Sequence, residues 1–385
     1  MSSRLERLIE ELCPGGVKFG TLADIGRVSM CKRIFKDQTA SVGEIPFFKI
    51  GTFGGIPDSY ISEKLYKEYR EKYSFPKKGD ILISASGTIG KTVVYDDEPA
   101  YFQDSNIVWV DNDEKKILNR FLLHFYSTNP WNVPTGGTIS RLYNDMIRKT
   151  VIPIPPIVIQ HEIVRILDNF TELTAELTAE LTAELTARKK QYEYYRDELT
   201  VGSTDGCSLR IEDVCSMKAG TSIKAININL EKTHDYPYPC YGGNGIRGYV
   251  STYTHEGDYI LIGRQGAFSG NIKRTHGKFY ATEHAVVTEL KECFDIDFSF
   301  HLFKAMDLNQ YVTQSAQPGL SVGKLKSIPI NYPELAVQRR NGRALNTFQL
   351  LLSNIESGIP FEIEARKLQY EHYRNKLLSF EKRNM

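Results

Sequence analysis

The sequence predicts an α+β fold in which two globular mixed-β domains are joined by a long antiparallel two-helix coiled coil, with internal pseudo-two-fold symmetry. Three observations indicate this fold class. The chain of 385 residues contains the same arrangement of segments twice, at a shift of 178 residues. Each copy begins with alternating apolar runs and ends with a long helical segment. The first helical segment repeats the unit ELTA four times between residues 172 and 187.

The duplication is visible in a long motif and in single residues. ARKKQYEYYRDEL begins at Ala187, and ARKLQYEHYRNKL begins at Ala365. The same shift relates Gln160 to Gln338. Because these matches occur in the same order in both halves, the chain is interpreted as a duplicated unit.

Strand-like sequence fills the first part of each copy. The runs DILISAS, KTVVYDD and NIVWVD in the first copy, and DYILIG and HAVVTEL in the second, predict β-strands connected by turns. An I-P-I segment ends each globular part, because proline disfavours both ladder pairing and regular helix. These signals place domain 1 at residues 16–152 and domain 2 at residues 204–329.

A long helix is predicted after each domain, within residues 153–203 and 330–385. Leucine, alanine and glutamate favour helix, and the first helix is predicted at roughly residues 161–199. Its leucines form one stripe at i, i+4 spacing; they are Leu173, Leu177, Leu181 and Leu185. The second helix is predicted at roughly residues 335–381, with a break or kink at Gly358 and Pro360.

The two helices are predicted to pair, because neither apolar stripe can be buried alone. The order of the duplicated copies makes that pair antiparallel. Residues 1–15 contain RLIEEL, which looks like the tail of the first helix. This N-terminal helix is predicted to complete a cyclic arrangement of the two copies.

Composition excludes several classes of protein. Apolar residues make up 41% of the chain and charged residues 25%, as in ordinary soluble proteins. The longest apolar run, residues 151–159, is too short and too rich in proline to cross a membrane. The six cysteines include no C-x-x-C pair, so neither a metal site nor a disulfide framework is predicted. A net charge of +1 permits local DNA-facing surfaces but argues against a basic coat.

With its two domains, each followed by a helix that ends in R-K-x-Q-Y-E-x-Y-R, the chain resembles the specificity subunit of a type I restriction–modification system. TAEL repeats in the first helix are typical of one branch of that family, and the resemblance covers essentially the whole chain. It implies a non-catalytic subunit in which each domain recognises one half of a bipartite DNA target. The helices would then set the gap between the halves. One departure is SGIPFEIEAR in the second helix, which contains no TAEL unit.

The resemblance also implies partners and a location. These are double-stranded DNA, two methylation subunits and, in the full complex, restriction subunits, in a prokaryotic cytoplasm and away from membranes. The chain itself is expected to bind no metal or cofactor. S-adenosylmethionine, ATP and Mg are expected on the partner subunits.

Sequence readout requires side chains that reach base edges and basic groups that contact phosphates. The DNA-binding candidates stand in loop-like or turn-flanking positions: Lys32, Arg33, Lys49, Ser86, Thr88, Lys91, Arg141, Lys224, Asn244, Arg247, Arg264, Gln265, Lys273 and Arg274. Arg264 and Gln265 rank highest, because the shift of 178 residues aligns them with Ser86 and Gly87 on a duplicated glycine-rich turn. The partner-binding candidates belong to the repeated motif: Arg188, Gln191, Tyr192, Tyr195, Arg196, Arg366, Gln369, Tyr370, Tyr373 and Arg374.

Two other functions remain open. SASGTIGKT at residues 84–92 ends like a phosphate-binding P-loop, but Ala85 stands where the pattern needs glycine and a strand-like run follows Lys91. A stand-alone nuclease or NTPase is therefore disfavoured. The third alternative is a coiled-coil scaffold with two protein-binding heads, which DNA-binding measurements would distinguish from the first hypothesis.

Overall fold

The computed structural model describes residues 3–132, 141–201, 206–313 and 319–383. It divides into two compact units. Unit 1 comprises Met1–Thr178 and Glu362–Met385, and unit 2 comprises Ala179–Phe361. Each unit therefore contains one strand-rich domain and parts of both long helices. No helix in the described ranges is both long and apolar enough to span a membrane.

Unit 1 is built from short strands and helices around two adjoining cores. Its strands are β1 (Lys18–Thr21), β2 (Gly26–Ser29), β3 (Ile45–Phe48), β4 (Tyr60–Ile61), β5 (Ile81–Ser84), β6 (Thr92–Val94), β7 (Tyr101–Phe102), β8 (Ile107–Asn112) and β9 (Val151–Ile154). Its helices are α1 (Ser3–Leu12), α2 (Glu63–Lys72), α3 (Asn119–Tyr126), α4 (Asn144–Lys149), the first part of α5 (Ile157–Thr200) and the end of α9 (Leu335–Leu377).

The strands of unit 1 form two sheets and a separate pair made of the first and last strands of the domain. One antiparallel sheet has the order β2-β8-β5-β6, and a second has the order β4-β3-β7 with β3 and β7 parallel. Strands β1 and β9 pair separately, with Lys18 opposite Ile154. The chain thus enters and leaves domain 1 through one antiparallel pair.

Unit 2 repeats this plan. Its strands are β10 (Cys207–Arg210), β11 (Cys215–Ala219), β12 (Tyr238–Gly242), β13 (Gly245–Val250), β14 (His255–Glu256), β15 (Tyr259–Gly263), β16 (Ile272–Thr275), β17 (Lys278–Ala281), β18 (Ala285–Leu290) and β19 (Pro329–Tyr332). Its helices are the second part of α5, α6 (Ile211–Val214), α7 (Ile296–Ala305), α8 (Val322–Lys326) and most of α9 (Leu335–Leu377). The pair β10-β19 and the sheet β11-β18-β15-β16 correspond to β1-β9 and β2-β8-β5-β6, while β12 and β17 are parallel like β3 and β7. The prediction of two mixed-β domains is confirmed.

The long helices differ from their predicted bounds. Helix α5 begins four residues earlier than predicted, at Ile157, and α9 ends at Leu377. Of the break or kink predicted at Gly358 and Pro360, the break was wrong, because α9 is continuous through both residues. Proline inside a helix costs about 3 kcal/mol, and this cost is outweighed by the packing of α9 residues before and after it within their own units.

Within unit 2 the two helix segments are antiparallel. The Lys189 ammonium lies 2.7 Å from the Glu356 carboxylate. Further along α5, the Leu199 carbonyl accepts a hydrogen bond from the side chain of Asn341. Residue numbers rise on α5 while they fall on α9, so the predicted direction of pairing holds in this unit.

In unit 1 the C-terminal end of the chain returns to domain 1. The Val17 amide donates to the Glu381 carbonyl at 2.9 Å, and the Arg383 amide donates to the Val17 carbonyl at 3.0 Å. Leu5 of α1 and Leu377 of α9 are buried in the same core. The end of α9 and helix α1 therefore pack into the same core of unit 1.

A buried glutamine attaches each domain to its helix. The Gln160 side chain accepts from the Leu118 amide just before α3 and donates to the Pro155 carbonyl. Gln338 repeats both bonds, accepting from the Asp295 amide and donating to the Pro333 carbonyl. These contacts explain why the sequence contains glutamine at both duplicated positions.

Substitution Gln160→Ala is expected to loosen the start of α3, because a buried polar group left unpaired costs about 1–3 kcal/mol. Hydrogen exchange should accelerate in peptides that contain Leu118 and remain unchanged in peptides that contain Asp295. Gln338→Ala is the matched control and should produce the reverse pattern. Equal acceleration at both places in either variant would contradict this assignment.

Candidate nucleic-acid interface

A glycine turn connects β5 to β6 in unit 1. It comprises residues 84–91, and the Ser84 amide donates to the Lys91 carbonyl at 2.9 Å across its base. Gly87 and Gly90 have φ of +65° and +81°, which favour glycine. A side chain at Gly90 would also meet the Trp131 ring nitrogen at 2.6 Å. The turn is therefore tight, and local sterics fix its shape.

The turn lacks the architecture of a P-loop. Strand β6 begins at Thr92, directly after Lys91, where a phosphate-binding loop is followed by a helix. The Lys91 ammonium donates to the Phe53 carbonyl at 2.6 Å, so it ties the turn to the neighbouring loop. These two facts favour a surface hairpin over a nucleotide site.

Substitution Lys91→Ala is expected to preserve the fold and weaken DNA binding modestly. Loss of the hydrogen bond from Lys91 to the Phe53 carbonyl should lower the free energy of unfolding by only about 0.5–1.5 kcal/mol. Loss of a phosphate contact would lower the slope of DNA affinity against salt concentration by about 1. Binding of duplex DNA over a salt series, with methylation subunits present, measures the affinity and this slope. Lys78→Ala, another exposed lysine near β5, is the control. Specific ATP binding by the isolated chain that Lys91→Ala abolishes would overturn this view.

Three predicted residues of unit 1 converge on one short segment beside the turn. The Arg33 guanidinium contacts the Asp104 carboxylate at 2.9 Å, and Arg141 donates to the Ser105 carbonyl at 2.9 Å. The Ser86 hydroxyl donates to the Asn106 side chain at 3.0 Å. Sequence reasoning missed this segment, residues 103–106, although its polar run QDSN between two strands was a usable signal.

The other DNA-binding candidates of unit 1 are Thr88, Lys49 and Lys32. Thr88 is on the turn, where its carbonyl accepts from the Ser84 hydroxyl. Lys49 pairs with Asp58 at 2.9 Å and lowers the pKa of that exposed carboxyl, mainly through their hydrogen bond. The Lys32 side chain extends to the Tyr73 ring, with its ammonium 5.0 Å from the ring centre.

Unit 2 contains the equivalent turn, residues 263–271, in a register that differs from the predicted one. The Arg264 amide and carbonyl bond to His284 and Leu320, as those of Ala85 bond to Asn106 and Leu142. Arg264 and Gln265 therefore correspond to Ala85 and Ser86, and the predicted match to Ser86 and Gly87 was wrong by one residue. The cause is one additional residue, Tyr259, at the start of β15.

Several predicted residues of unit 2 gather at its turn. Asn244, between β12 and β13, accepts a hydrogen bond from Asn271 at 3.0 Å. Lys273 on β16 lies beside Gly245, because a Cβ atom placed at Gly245 would be 3.4 Å from the Lys273 side chain. Gln265 is exposed on the turn. His284, which the sequence analysis did not select, lies at the position of Asn106.

Arg274 is directed away from this surface. Neighbouring residues on a strand point to opposite faces, and the Arg274 guanidinium pairs with Asp297 on α7. We therefore remove Arg274 from the DNA-binding candidates. Lys224 and Arg247 are exposed on the part of domain 2 formed by residues 224–250.

The motif residues on the long helices divide into exposed and buried groups. Arg188 contacts Gln191, and Arg366 contacts Gln369 in the same way. These four, together with Tyr195 and Tyr373, are accessible or half-buried. Arg196 and Tyr370 are largely covered. Tyr192 and Arg374 are buried inside their units, so we exclude them from the candidate partner surface.

Comparison with known proteins identifies the family. The family model described as "Type I restriction modification DNA specificity domain" matches residues 14–187 and 208–365. The chain belongs to this DNA specificity family. A type I restriction enzyme EcoprrI specificity subunit of Escherichia coli is 40% identical over 81% of the chain and 82% of its own length. A putative type I restriction enzyme specificity subunit of Haemophilus influenzae is 60% identical, and the match covers 46% of each protein.

Solved structures support the fold of this DNA specificity protein. The HsdS subunit of Thermoanaerobacter tengcongensis superposes with a TM-score of 0.62 at 14% identity, covering 95% of this chain and 97% of that one. A chain from a structure of type I R-M complex assembly and conformational transition gives 0.72 at 13% identity, with 95% and 98% coverage. Among the residues that the structure describes, no cluster of His, Cys, Asp and Glu could hold a metal ion.

Proposed function

We propose that this chain is the DNA-recognition subunit of a type I restriction–modification enzyme and that each domain reads one half of a split double-stranded target. One observation carries this proposal: the two units present the same glycine turn with different polar side chains. Ser86 and Lys91 in unit 1 correspond to Gln265 and Asn271 in unit 2. A shared scaffold with different hydrogen-bonding groups suits two different half-sites.

The chemistry of each surface matches base and phosphate recognition. Arginine can bind guanine through two hydrogen bonds, and glutamine or asparagine can bind adenine in the same way. Unit 1 supplies Arg141 and Lys91, whereas unit 2 supplies Arg264, Gln265 and Asn244. The glycines allow the backbone to approach phosphates closely.

The exposed motif residues are the proposed contacts for partner subunits. Exposed tyrosine and arginine side chains are typical of interface centres, and Tyr195, Tyr373, Arg188 and Arg366 present both types. Two methylation subunits would bind here, with restriction subunits in the full complex. S-adenosylmethionine, ATP and Mg would be bound by those partners, in a prokaryotic cytoplasm.

Co-expression with a methylation subunit tests the proposal. Mapping of methylated adenines across a genome should yield one target made of two short sequences separated by an unspecified gap. DNA cleavage or ATP hydrolysis by the pure chain would instead support the nuclease or NTPase alternative. Absence of salt-dependent binding to duplex DNA in the assembled complex would favour a protein scaffold.

A further inference from the structure

A buried hydrogen-bonded chain links three elements in unit 2. The Tyr192 hydroxyl on α5 lies 2.9 Å from Nδ1 of His301 on α7. Nε2 of the same ring lies 2.9 Å from the side-chain oxygen of Asn346 on α9. Tyr192 is 6% exposed and His301 is fully buried. One histidine therefore joins domain 2 to both helix segments of its unit.

The same chain recurs in unit 1. The Tyr370 hydroxyl on α9 lies 3.2 Å from Nδ1 of His124 on α3, and Nε2 lies 2.8 Å from the Asp168 carboxylate on α5. Tyr370 and Asp168 stand 178 residues from Tyr192 and Asn346. The tyrosine is the first aromatic residue of the repeated motif in both cases. The third member differs, since an aspartate replaces an asparagine, and Asp168 also pairs with Arg120 at 2.8 Å.

The hydrogen bonds are assigned the same direction in both units. Burial lowers the pKa of His301 to about 4 and also lowers the pKa of His124, although hydrogen bonding to Asp168 opposes the second shift. Both rings are therefore neutral near pH 7. We assign the single ring hydrogen to Nε2, where an oxygen accepts it, so Nδ1 is the acceptor that faces the tyrosine hydroxyl. In unit 2 that hydroxyl has a second acceptor, the side-chain oxygen of Gln349 at 3.2 Å. An amide and a carboxylate oxygen can both fill the third position.

Each histidine stands on a helix that is packed into its domain. Phe298 and Phe303 of α7 are buried with Ile260 and Val286 of the sheet. Gln338 holds α7 at Asp295, which lies six residues and about 9 Å from the second attachment at His301. Two attachments along α7 define its direction, whereas one attachment would allow it to pivot.

We propose that Tyr192 and Tyr370 are positioning residues that fix the orientation of domain 2 and domain 1, respectively, on their helix segments. This inference rests on the proposed function, because orientation matters where a domain must meet its half-site in register. It also separates the two copies of the motif. Tyr192 acts on the half-site read by domain 2, and Tyr370 acts on the half-site read by domain 1.

The test measures methylation by the complex with methylation subunits, on DNA whose gap is cognate or is changed by one or two base pairs. Tyr192→Phe keeps the ring and removes the hydroxyl. It should lower the preference for the cognate gap on the order of tenfold, since small misplacements have large effects on rate. Half-site bases should stay the same. Tyr194→Phe is the control, because Tyr194 is 61% exposed in the same motif.

Unit 1 offers a conservative variant. Asp168→Asn reproduces the arrangement of unit 2 and should retain gap preference, whereas Asp168→Ala should lose it as Tyr370→Phe does. A purely structural role would lower thermal stability in these variants without changing the preference between gaps. Unchanged preference in both tyrosine variants, or equal loss in Asp168→Asn and Asp168→Ala, would overturn the inference. A wild-type complex that methylates no split target would instead overturn the proposed function.

Discussion

Deletion of residues 177–180, one repeat unit of α5, is expected to narrow the unspecified gap by one or two base pairs. Four helical residues correspond to about 6 Å and a rotation of about 40°. DNA advances about 3.4 Å per base pair. Helix α5 is continuous from residues of unit 1 into residues of unit 2, so the deletion shortens a stiff connection.

We expect the repeat to tolerate this deletion, because its units are equivalent and locally self-contained. The Thr174 hydroxyl donates to the Phe170 carbonyl, and the Thr186 hydroxyl donates to the Thr182 carbonyl. Threonine hydroxyls are thus satisfied within the helix. Removal of four residues nearly preserves the leucine face, and DNA distortion can absorb the remaining mismatch at a cost of a few kcal/mol.

Methylated sites mapped for the parent and the deletion variant decide the matter. Both half-site sequences should remain unchanged while the gap becomes shorter. Deletion of residues 177–178 alone is the contrasting variant, because it turns the leucine face by about 160° and should impair assembly. An unchanged gap, or altered bases in either half-site, would show that the repeat does not set the spacing.

Replacement of residues 206–327 by the matching segment of another family member is expected to change one half of the target and leave the other intact. Domain 2 has its own core, with Ile260, Val286 and Phe298 among its buried residues. Its first strand pairs with β19, which stays with the recipient, through backbone hydrogen bonds. Backbone pairing is largely independent of side chains, so an incoming β10 can form the same pair.

The measurement is the methylated sequence of the hybrid. The half-site assigned to domain 1 should be identical in parent and hybrid, with the gap preserved. A hybrid of residues 16–152 is the reciprocal control and should change only the other half. Simultaneous change of both half-sites by either replacement would contradict independent reading by the two domains.

Much of the fold follows from local pattern. The alternating runs around DILISAS and NIVWVD predicted β5 and β8, and helical propensity predicted α5 and α9. The duplicated Gln160 and Gln338 were visible in the sequence, but their role was not. That role depends on Leu118 and Asp295, whose amides come from other parts of each unit.

The candidate surface was predictable only in outline. Chemistry alone selected Arg33, Ser86 and Arg141, but it could not indicate that residues 104–106 hold them together. Alternation along β16 makes Lys273 and Arg274 face opposite sides, and only the ion pair with Asp297 shows which side carries which residue. The amino-acid sequence of the strand does not indicate which of its two faces lies at the candidate surface.

By itself, the sequence determined the duplication, the order of domains and helices, and the family resemblance, because periodicity and repeated motifs are properties of the chain alone. Tertiary structure decided the continuity of α9 through Pro360, the one-residue register of the turn that contains Arg264, and the burial of Tyr192. Each of these depends on contacts between distant residues, where packing outweighs local preference. A one-residue change in strand register, which pattern matching tolerates, moves every following side chain to the opposite face.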